Sequence, residues 1–203
     1  MPDYFIFADI IGIIAFGISG FLIAIKNNLD ILGIVIASAL TALGGGIIRD
    51  AILSSAPFAF TSLYPAITLI FTIFIAYMFK LYNNTSIEKK WIFVVSDTIG
   101  LVAFSITGAL LAINAEYNFF GIIILSFITA VGGGVTRDIM INEVPTVLVS
   151  DFYGSIAVIV ALLLAVVELF DMLNEFTIIS IALFCIALRL IAYKKKWHLP
   201  KLN

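Results

Sequence analysis

Charge is scarce in this chain. Of its 203 residues, 12% are Asp, Glu, Lys or Arg and 63% are hydrophobic. So few charged side chains cannot cover a globule of this size with a water-facing shell, which excludes a soluble domain. The single cysteine, Cys185, rules out an internal disulfide, and the single histidine, His198, rules out a histidine-rich metal site. The apolar segments hold no His/Glu metal set and no nucleophile–base pair, so a membrane enzyme is not expected, nor a cofactor. A net charge of -2 gives no footing for nucleic acid as a partner. No basic stretch precedes the first apolar run, so a cleaved signal peptide is not expected.

What remains is apolar and helical. Mean hydropathy is +1.19. A helix of about 20 apolar residues crosses a hydrocarbon core of roughly 30 Å. Seven such spans are predicted, at about 5–25, 31–53, 63–82, 92–113, 119–141, 152–170 and 176–193. The connections are short and polar, so residues 1–203 form a single transmembrane domain. The expected class is all-α, because a helix satisfies its backbone groups internally in lipid. Pro57 and Pro145 follow their spans and are expected to end them.

The cations sort to one side. Lys26, Lys80, Lys89, Lys90, Lys194, Lys195, Lys196 and Lys201 fall in loops after odd-numbered spans or in the C-terminal tail. Asp3, Glu116, Asp171 and Glu175 fall on the other side, whose loops carry no Lys or Arg. Basic loops stay inside, so the N-terminus is expected outside and the C-terminus in the cytoplasm. Lys194-Lys195-Lys196 reads as a topology anchor. Trp91, Trp197, Tyr4 and Tyr153 fit interfacial belts, and Glu168 and Arg189 are expected to snorkel.

The chain also repeats itself. Without a gap, residues 9–57 align on residues 97–145, and nearly half of the pairs are identical. Asp9 falls on Asp97, Gly12 on Gly100, Phe16 on Phe104, Gly20 on Gly108, Ser38 on Ser126 and Thr41 on Thr129. The triplet Gly44-Gly45-Gly46 falls on Gly132-Gly133-Gly134, Arg49 on Arg137 and Asp50 on Asp138. With three spans per copy, the second copy enters the membrane from the opposite side. The repeats are therefore inverted, three spans plus three, and the seventh span is an addition.

Each triplet lies near the middle of its span. Glycine costs a helix roughly 1 kcal/mol relative to alanine, so three in a row are a weak point. Two readings stay open. An unwound or kinked turn would offer carbonyl oxygens to a cation and a half-helix N-terminus to an anion. Alternatively, the small residues let two helices touch.

Arg49, Asp50, Arg137 and Asp138 follow the triplets while still inside apolar spans, where a charge is costly and faces the bundle interior. Neighbours on a helix point apart, so Arg49 is not expected to pair with Asp50. Depth suggests Asp9–Arg49 and Asp97–Arg137 contacts at opposite mouths, either functional or simply structural clamps. Ser38, Thr41, Ser126, Thr129, Ser19 and Thr107 lie on the same stripes as the small residues. They read as the border of a narrow, weakly polar route with Phe16 and Phe104 as constrictions, or as ordinary packing surface.

GGGIIRD at 44–50 and GGGVTRD at 132–138, in a seven-span inverted repeat, resemble the trimeric intracellular cation channels, in particular their bacterial and archaeal branch. The resemblance spans nearly the whole chain. It implies a homotrimer in the cell (inner) membrane, surrounded by lipids. Each subunit would hold its own pore, permeable to K+ and less selectively to Na+, beside helices 2 and 5 kinked at the glycine triplets. The basic tail and KEV motif of animal members are missing, so phosphoinositide gating is not implied. The same domain has also been described as a glycine transporter, which is the alternative. Acids and arginines toward the span ends, with Gly, Ser and Thr at the centre, favour the channel.

Overall fold

The structure is a computed structural model that describes residues 3–81, 86–149 and 152–197. Residues 82–85 of the long polar loop, His198 and Lys201 lie outside the described residues, as do the side chains of Asp3, Tyr4 and Lys89. The described residues form nine helices: α1 (Asp3–Lys26), α2 (Ile31–Ile52), α3 (Phe58–Thr61), α4 (Tyr64–Met78), α5 (Ser86–Asn114), α6 (Phe119–Met140), α7 (Thr146–Val149), α8 (Gly154–Leu169) and α9 (Glu175–Lys194).

The ends of these helices repeat as faithfully as their interiors. Asp30 caps α2 by accepting from the Gly33 N–H at 2.7 Å, and its counterpart Asn118 caps α6 by accepting from the Gly121 N–H at 2.9 Å. Each cap satisfies an amide that helix geometry leaves unpaired. At the other ends, Asn28 and Glu116 take left-handed φ values of 54° and 55°, and Ser54 and Asn142 take 54° and 58°. The amide of the next residue then turns back onto the helix, as Leu29 N–H does to Ala24 C=O at 3.1 Å and Tyr117 N–H to Ala112 C=O at 3.0 Å. No glycine has a positive φ. None of them therefore serves a left-handed turn.

Among the described residues, five helices are long and apolar enough to cross a membrane: Phe5–Lys26 of α1, α2, Lys90–Asn114 of α5, α6 and α9. Tyr64–Met78 and Gly154–Leu169 are apolar but shorter, at 15 and 16 residues. Spans 63–82 and 152–170 are thus trimmed. In each repeat the chain first makes the short helix α3 or α7 after its proline. In the first repeat, Pro65 sits at the start of α4, where its missing N–H costs nothing.

Helices α1, α2, α5 and α6 form the centre. α1 crosses α5, α2 crosses α6, and each repeat joins its own pair, α1 to α2 and α5 to α6. α4 leans on α1 as α8 leans on α5, so the two halves match. α9 has no counterpart and covers α5 and α8. Its effect is visible in burial: 83% of the α5 span window is buried, against 56% of the equivalent α1 window. The outer faces of α2, α4, α6 and α9 carry exposed residues such as Leu32, Phe71, Phe120 and Phe184, as expected of surfaces meeting lipid or another subunit.

Candidate functional site

Two glycine contacts draw the repeats together. A Cβ on Gly45 would strike the backbone carbonyl oxygen of Thr129, and a Cβ on Gly133 would strike that of Thr41. Gly44 would reach the Gly133 Cα at 3.1 Å, and Gly132 would reach the Gly45 Cα at 3.4 Å. α2 and α6 therefore cross backbone against backbone at their triplets, the close approach that small residues permit between apolar helices. Both helices run unbroken through the crossing, so the unwound turn is absent. The weak points hold because each triplet's lost side chains are replaced by contact with the other helix.

The same logic organises α1 and α5. Phe104 lies over Gly12, 3.0 Å from where a Cβ would stand, and Phe16 lies over Gly100. The two rings meet with centroids 5.4 Å apart and a 34° tilt, and each residue is 1% exposed. Gly20 seats α1 against Ser38 and Thr41 of α2, and Gly108 seats α5 against Thr129 and the Leu125 carbonyl of α6. The centre of the molecule is a tight waist.

A charged cluster flanks the waist at each end. In the first, Arg49 Nε donates to Asp50 Oδ1 at 2.8 Å, and Nη1 lies 3.5 Å from Asp9 Oδ1 and 3.4 Å from Thr107 Oγ1. The guanidinium carbon stands 5.5 Å from the Phe5 ring centroid and 5.2 Å from that of Phe58. The Tyr64 hydroxyl donates to Asp9 Oδ2 at 3.3 Å. In the second, Arg137 gives Nε to Asp138 Oδ1 at 2.8 Å and Nη2 to the same oxygen at 2.7 Å. Its Nη1 reaches Thr41 Oγ1 at 3.4 Å, while Asp97 accepts from the Ser19 hydroxyl at 2.9 Å. Thr41 accepts because its own proton goes to the Ala37 carbonyl at 2.6 Å, as that of Thr129 goes to Leu125. Ser126 donates to the Ser105 carbonyl at 2.8 Å, and Ser38 is equally buried.

Several expectations change. The neighbours Arg49 and Asp50 do pair, as do Arg137 and Asp138. Their Cβ atoms diverge, but an arginine is long enough to curl back over its own helix end. Asp9 contacts Arg49 as anticipated. Among the described ion pairs, Arg137 binds Asp138 and not Asp97. All six charged side chains are buried. Burial of such ions is tolerable only with partners, and here every one has at least one. Arg189, expected to snorkel, is buried with its guanidinium 5.3 Å from the Tyr153 ring centroid, and Tyr153 is buried too rather than interfacial.

The second oxygens of Asp50 and Asp138 have a task that the sequence reading missed. Asp50 Oδ2 accepts from the Phe58 N–H at 2.8 Å, and Asp138 Oδ2 accepts from the Thr146 N–H at 2.8 Å and its hydroxyl at 2.9 Å. Each aspartate thus ties an arginine to the start of the next short helix. The constant Asp-to-Pro spacing in both copies was the available signal. Tyr64, beside Asp9, was also missed, and Tyr153 was read as interfacial; both lie beyond the aligned segments 9–57 and 97–145.

Two recesses adjoin this core. One of 580 Å³ between α1 and α5 is lined by apolar side chains, including Ile14, Ile18, Trp91 and Ile99. The other, of 250 Å³, lies between the start of α2 and the end of α6 and reaches Arg137 past Gly33, Leu40 and Met140.

A family model described as "Glycine transporter" matches twice, over residues 6–80 and 94–168, in the register that sets Asp9 on Asp97. The UPF0126 membrane protein YvgT of Bacillus subtilis (strain 168) is 34% identical over 199 residues, covering 95% of this chain and 93% of that protein. The UPF0126 inner membrane protein YadS of Escherichia coli (strain K12) is 33% identical over 151 residues, covering 74% of this chain and 72% of that protein. Among solved structures, a prokaryotic TRIC channel in 0.5 M KCl superposes with a TM-score of 0.87 at 31% identity, covering 98% of this chain and all (100%) of the other. Another, solved for the structural basis of conductance through TRIC cation channels, gives 0.84 at 35% identity over 97% and 96% of the two chains. This chain belongs to the prokaryotic TRIC family. It is an integral membrane protein, and the TRIC fold accounts for its all-helical, twofold-repeated architecture.

Proposed function

We propose that this TRIC-family protein is a cation channel permeable to K+, and less selectively to Na+, with a path through each subunit of a homotrimer. The observation that carries the reading is the pair of buried Arg–Asp clusters, placed by duplication on either side of the Phe16–Phe104 waist in a fold shared with TRIC cation channels. The path would run among α1, α2, α5 and α6, bordered by Ser19, Ser38, Thr41, Thr107, Ser126 and Thr129. A bend of α2 and α6 at Gly44–Gly46 and Gly132–Gly134 belongs to this reading, since clustered glycines bend a helix without breaking it. The described arrangement is then a shut one, with Phe16 and Phe104 in contact and the arginines tied to the opposite repeat.

The same reading includes seven crossings of the cell membrane. At about 1.5 Å per residue, α4 and α8 would span about 22–24 Å, and local thinning or the preceding short helices would absorb the shortfall. The Arg49 cluster would face outside and the Arg137 cluster the cytoplasm.

The glycine-transporter description is the second reading. A transporter needs a midplane cavity with donors for a carboxylate and an acid for an ammonium. The midplane here is filled by Phe16, Phe104 and the crossing glycines, which supports a channel instead. Proteoliposomes decide between the two. K+ single-channel currents without saturable uptake of labelled glycine are expected; glycine uptake without unitary currents would overturn the channel.

A further inference from the structure

The two arginine clusters are built alike but covered differently. Arg49 lies between two phenyl rings, those of Phe5 and Phe58, with centroids 5.5 and 5.2 Å from its guanidinium carbon. The Phe58 ring fills the notch left by Gly46, where a Cβ would collide with Phe58 Cε1 and stand 3.0 Å from Cζ. Tyr64 extends the cover: its ring centroid lies 6.3 Å from that of Phe58, and its hydroxyl reaches Asp9. The second repeat departs from this plan. Thr146 stands where Phe58 does, 88 positions on, and gives its hydroxyl to Asp138. A Cβ in the Gly134 notch would meet only Arg137 Nη2, at 3.8 Å. Among the described residues, the rings that face a guanidinium stand over Arg49 and Arg189, none over Arg137. The 250 Å³ recess reaches Arg137 instead.

The covered arginine is also the less well bonded one. Arg137 commits both Nε and Nη2 to Asp138. Arg49 has one short bond, from Nε to Asp50, and two long contacts from Nη1 to Asp9 and Thr107. Its Nη2 is buried with no acceptor among the described residues. A buried N–H without an acceptor is costly, so water would compete for Arg49 as soon as it could reach it. The contact between a desolvated guanidinium and a ring face opposes that loss. Phe58 is 8% exposed and is carried by α3, a helix of four residues whose N-cap, Pro57, makes no side-chain cap. The Phe58 N–H is tied to Asp50 Oδ2 at 2.8 Å. The ring can therefore swing out while its backbone stays anchored to the cluster.

We propose that Phe58 is a movable seal at the Arg49 end of the ion path: withdrawing its ring from the Gly46 notch admits water and cations to that cluster. This rests on the channel reading. The Arg137 end has no such ring and is approached through its recess. The two ends of the path are then controlled differently, one by an aromatic cover and the other by the Arg137–Asp138 and Arg137–Thr41 contacts alone.

The test uses the full chain in lipid nanodiscs, where both faces are in reach of the arginine-selective reagent p-hydroxyphenylglyoxal. The arginines of the chain are Arg49, Arg137 and Arg189, so peptide mass spectrometry reads each one separately. In the parent, Arg137 should react faster than Arg49. Phe58→Ala should accelerate Arg49 about tenfold or more, the scale of one desolvated ring–cation contact. It should leave Arg137 at its parent rate and raise K+ open probability in bilayers. Gly46→Ala keeps the ring but occupies its notch, and should act in the same direction; Gly134→Ala should leave the Arg49 rate unchanged. Four results would each overturn the proposal: a parent in which Arg49 reacts first, an Arg49 rate that Phe58→Ala does not change, equal acceleration of Arg49 and Arg137, or a faster Arg49 with unchanged open probability. If Phe58→Ala does not assemble, Gly46→Ala decides by the same criteria. A parent that carries no K+ current refutes the channel reading, while the labelling rates still judge the seal.

Discussion

Replacing Gly133 by alanine should loosen the protein, although alanine is the better helix former. The added methyl would stand against the Thr41 carbonyl oxygen and 2.8 Å from that of Leu40, both backbone atoms of α2 that no rotamer change can remove. α2 and α6 must therefore part. Overpacking of this kind costs about 1–3 kcal/mol, and the gain in helix propensity returns about 1 kcal/mol. The obstacle here is backbone, which puts the cost at about 2–3 kcal/mol, so the expected net loss is about 1–2 kcal/mol, with weakening of the Arg137–Thr41 contact, which sits at 3.4 Å and has little to spare. The neighbouring position is the control. A Cβ on Gly134 would meet only Arg137 Nη2, at 3.8 Å, so Gly134→Ala should keep the propensity gain and stabilise by up to about 1 kcal/mol. Thermal unfolding in one detergent, parent against both variants, measures the order. Gly133→Ala at or above the parent, or Gly134→Ala below Gly133→Ala, would refute the backbone-crossing account. The triplet would then have to be explained by bending alone.

Other outcomes follow from the clusters and the topology. A double-mutant cycle on Asp9→Ala and Arg49→Ala should show coupling of about 0.5–3 kcal/mol in stability, whereas Asp97→Ala with Arg137→Ala should come closer to additive; equal coupling in both would contradict the different pairings. Asp138→Ala should destabilise by about 3–5 kcal/mol, since it strands the Arg137 charge and frees the Thr146 N–H, and Arg137→Met should rescue part of that loss; a neutral Asp138→Ala would show the pair to be dispensable. With Cys185→Ser, cysteines at Met172 and Lys195 should label from opposite faces of the membrane, and labelling from one face would remove the seven-crossing inverted topology.

The duplication made much of the site legible. Several aligned pairs of small residues make aligned contacts. Gly45 meets Thr129 as Gly133 meets Thr41, and Phe16 covers Gly100 as Phe104 covers Gly12. A second copy in the sequence acts as an internal control that composition and periodicity cannot supply. It separated the residues that matter from the Ser, Thr and Ile that fill any apolar helix. What it could not give was direction. The sequence sets Arg49 and Asp50 side by side, and only side-chain length decides that they meet; the same spacing rule that predicts which helix faces align says nothing about a guanidinium folding back across one residue.

The triplets were ambiguous for a related reason. Glycine lowers helix propensity and also admits a neighbour, and one sequence cannot tell a weak point from a contact point. With no glycine at positive φ and the helices unbroken, the unwound turn is excluded, and at Gly45 and Gly133 the missing side chain is what lets the helices touch. Arg189 was least legible of all. It lies on the one helix outside the repeat, near the end of an apolar span, where a snorkelling cation is the ordinary expectation. Its guanidinium stands over Tyr153, which arrives from the far end of the second repeat. An inverted repeat alone would build two equivalent ends. The element added to it is therefore the natural place for the two ends of the bundle to become different, and Arg189 is the charge that this element brings to the core.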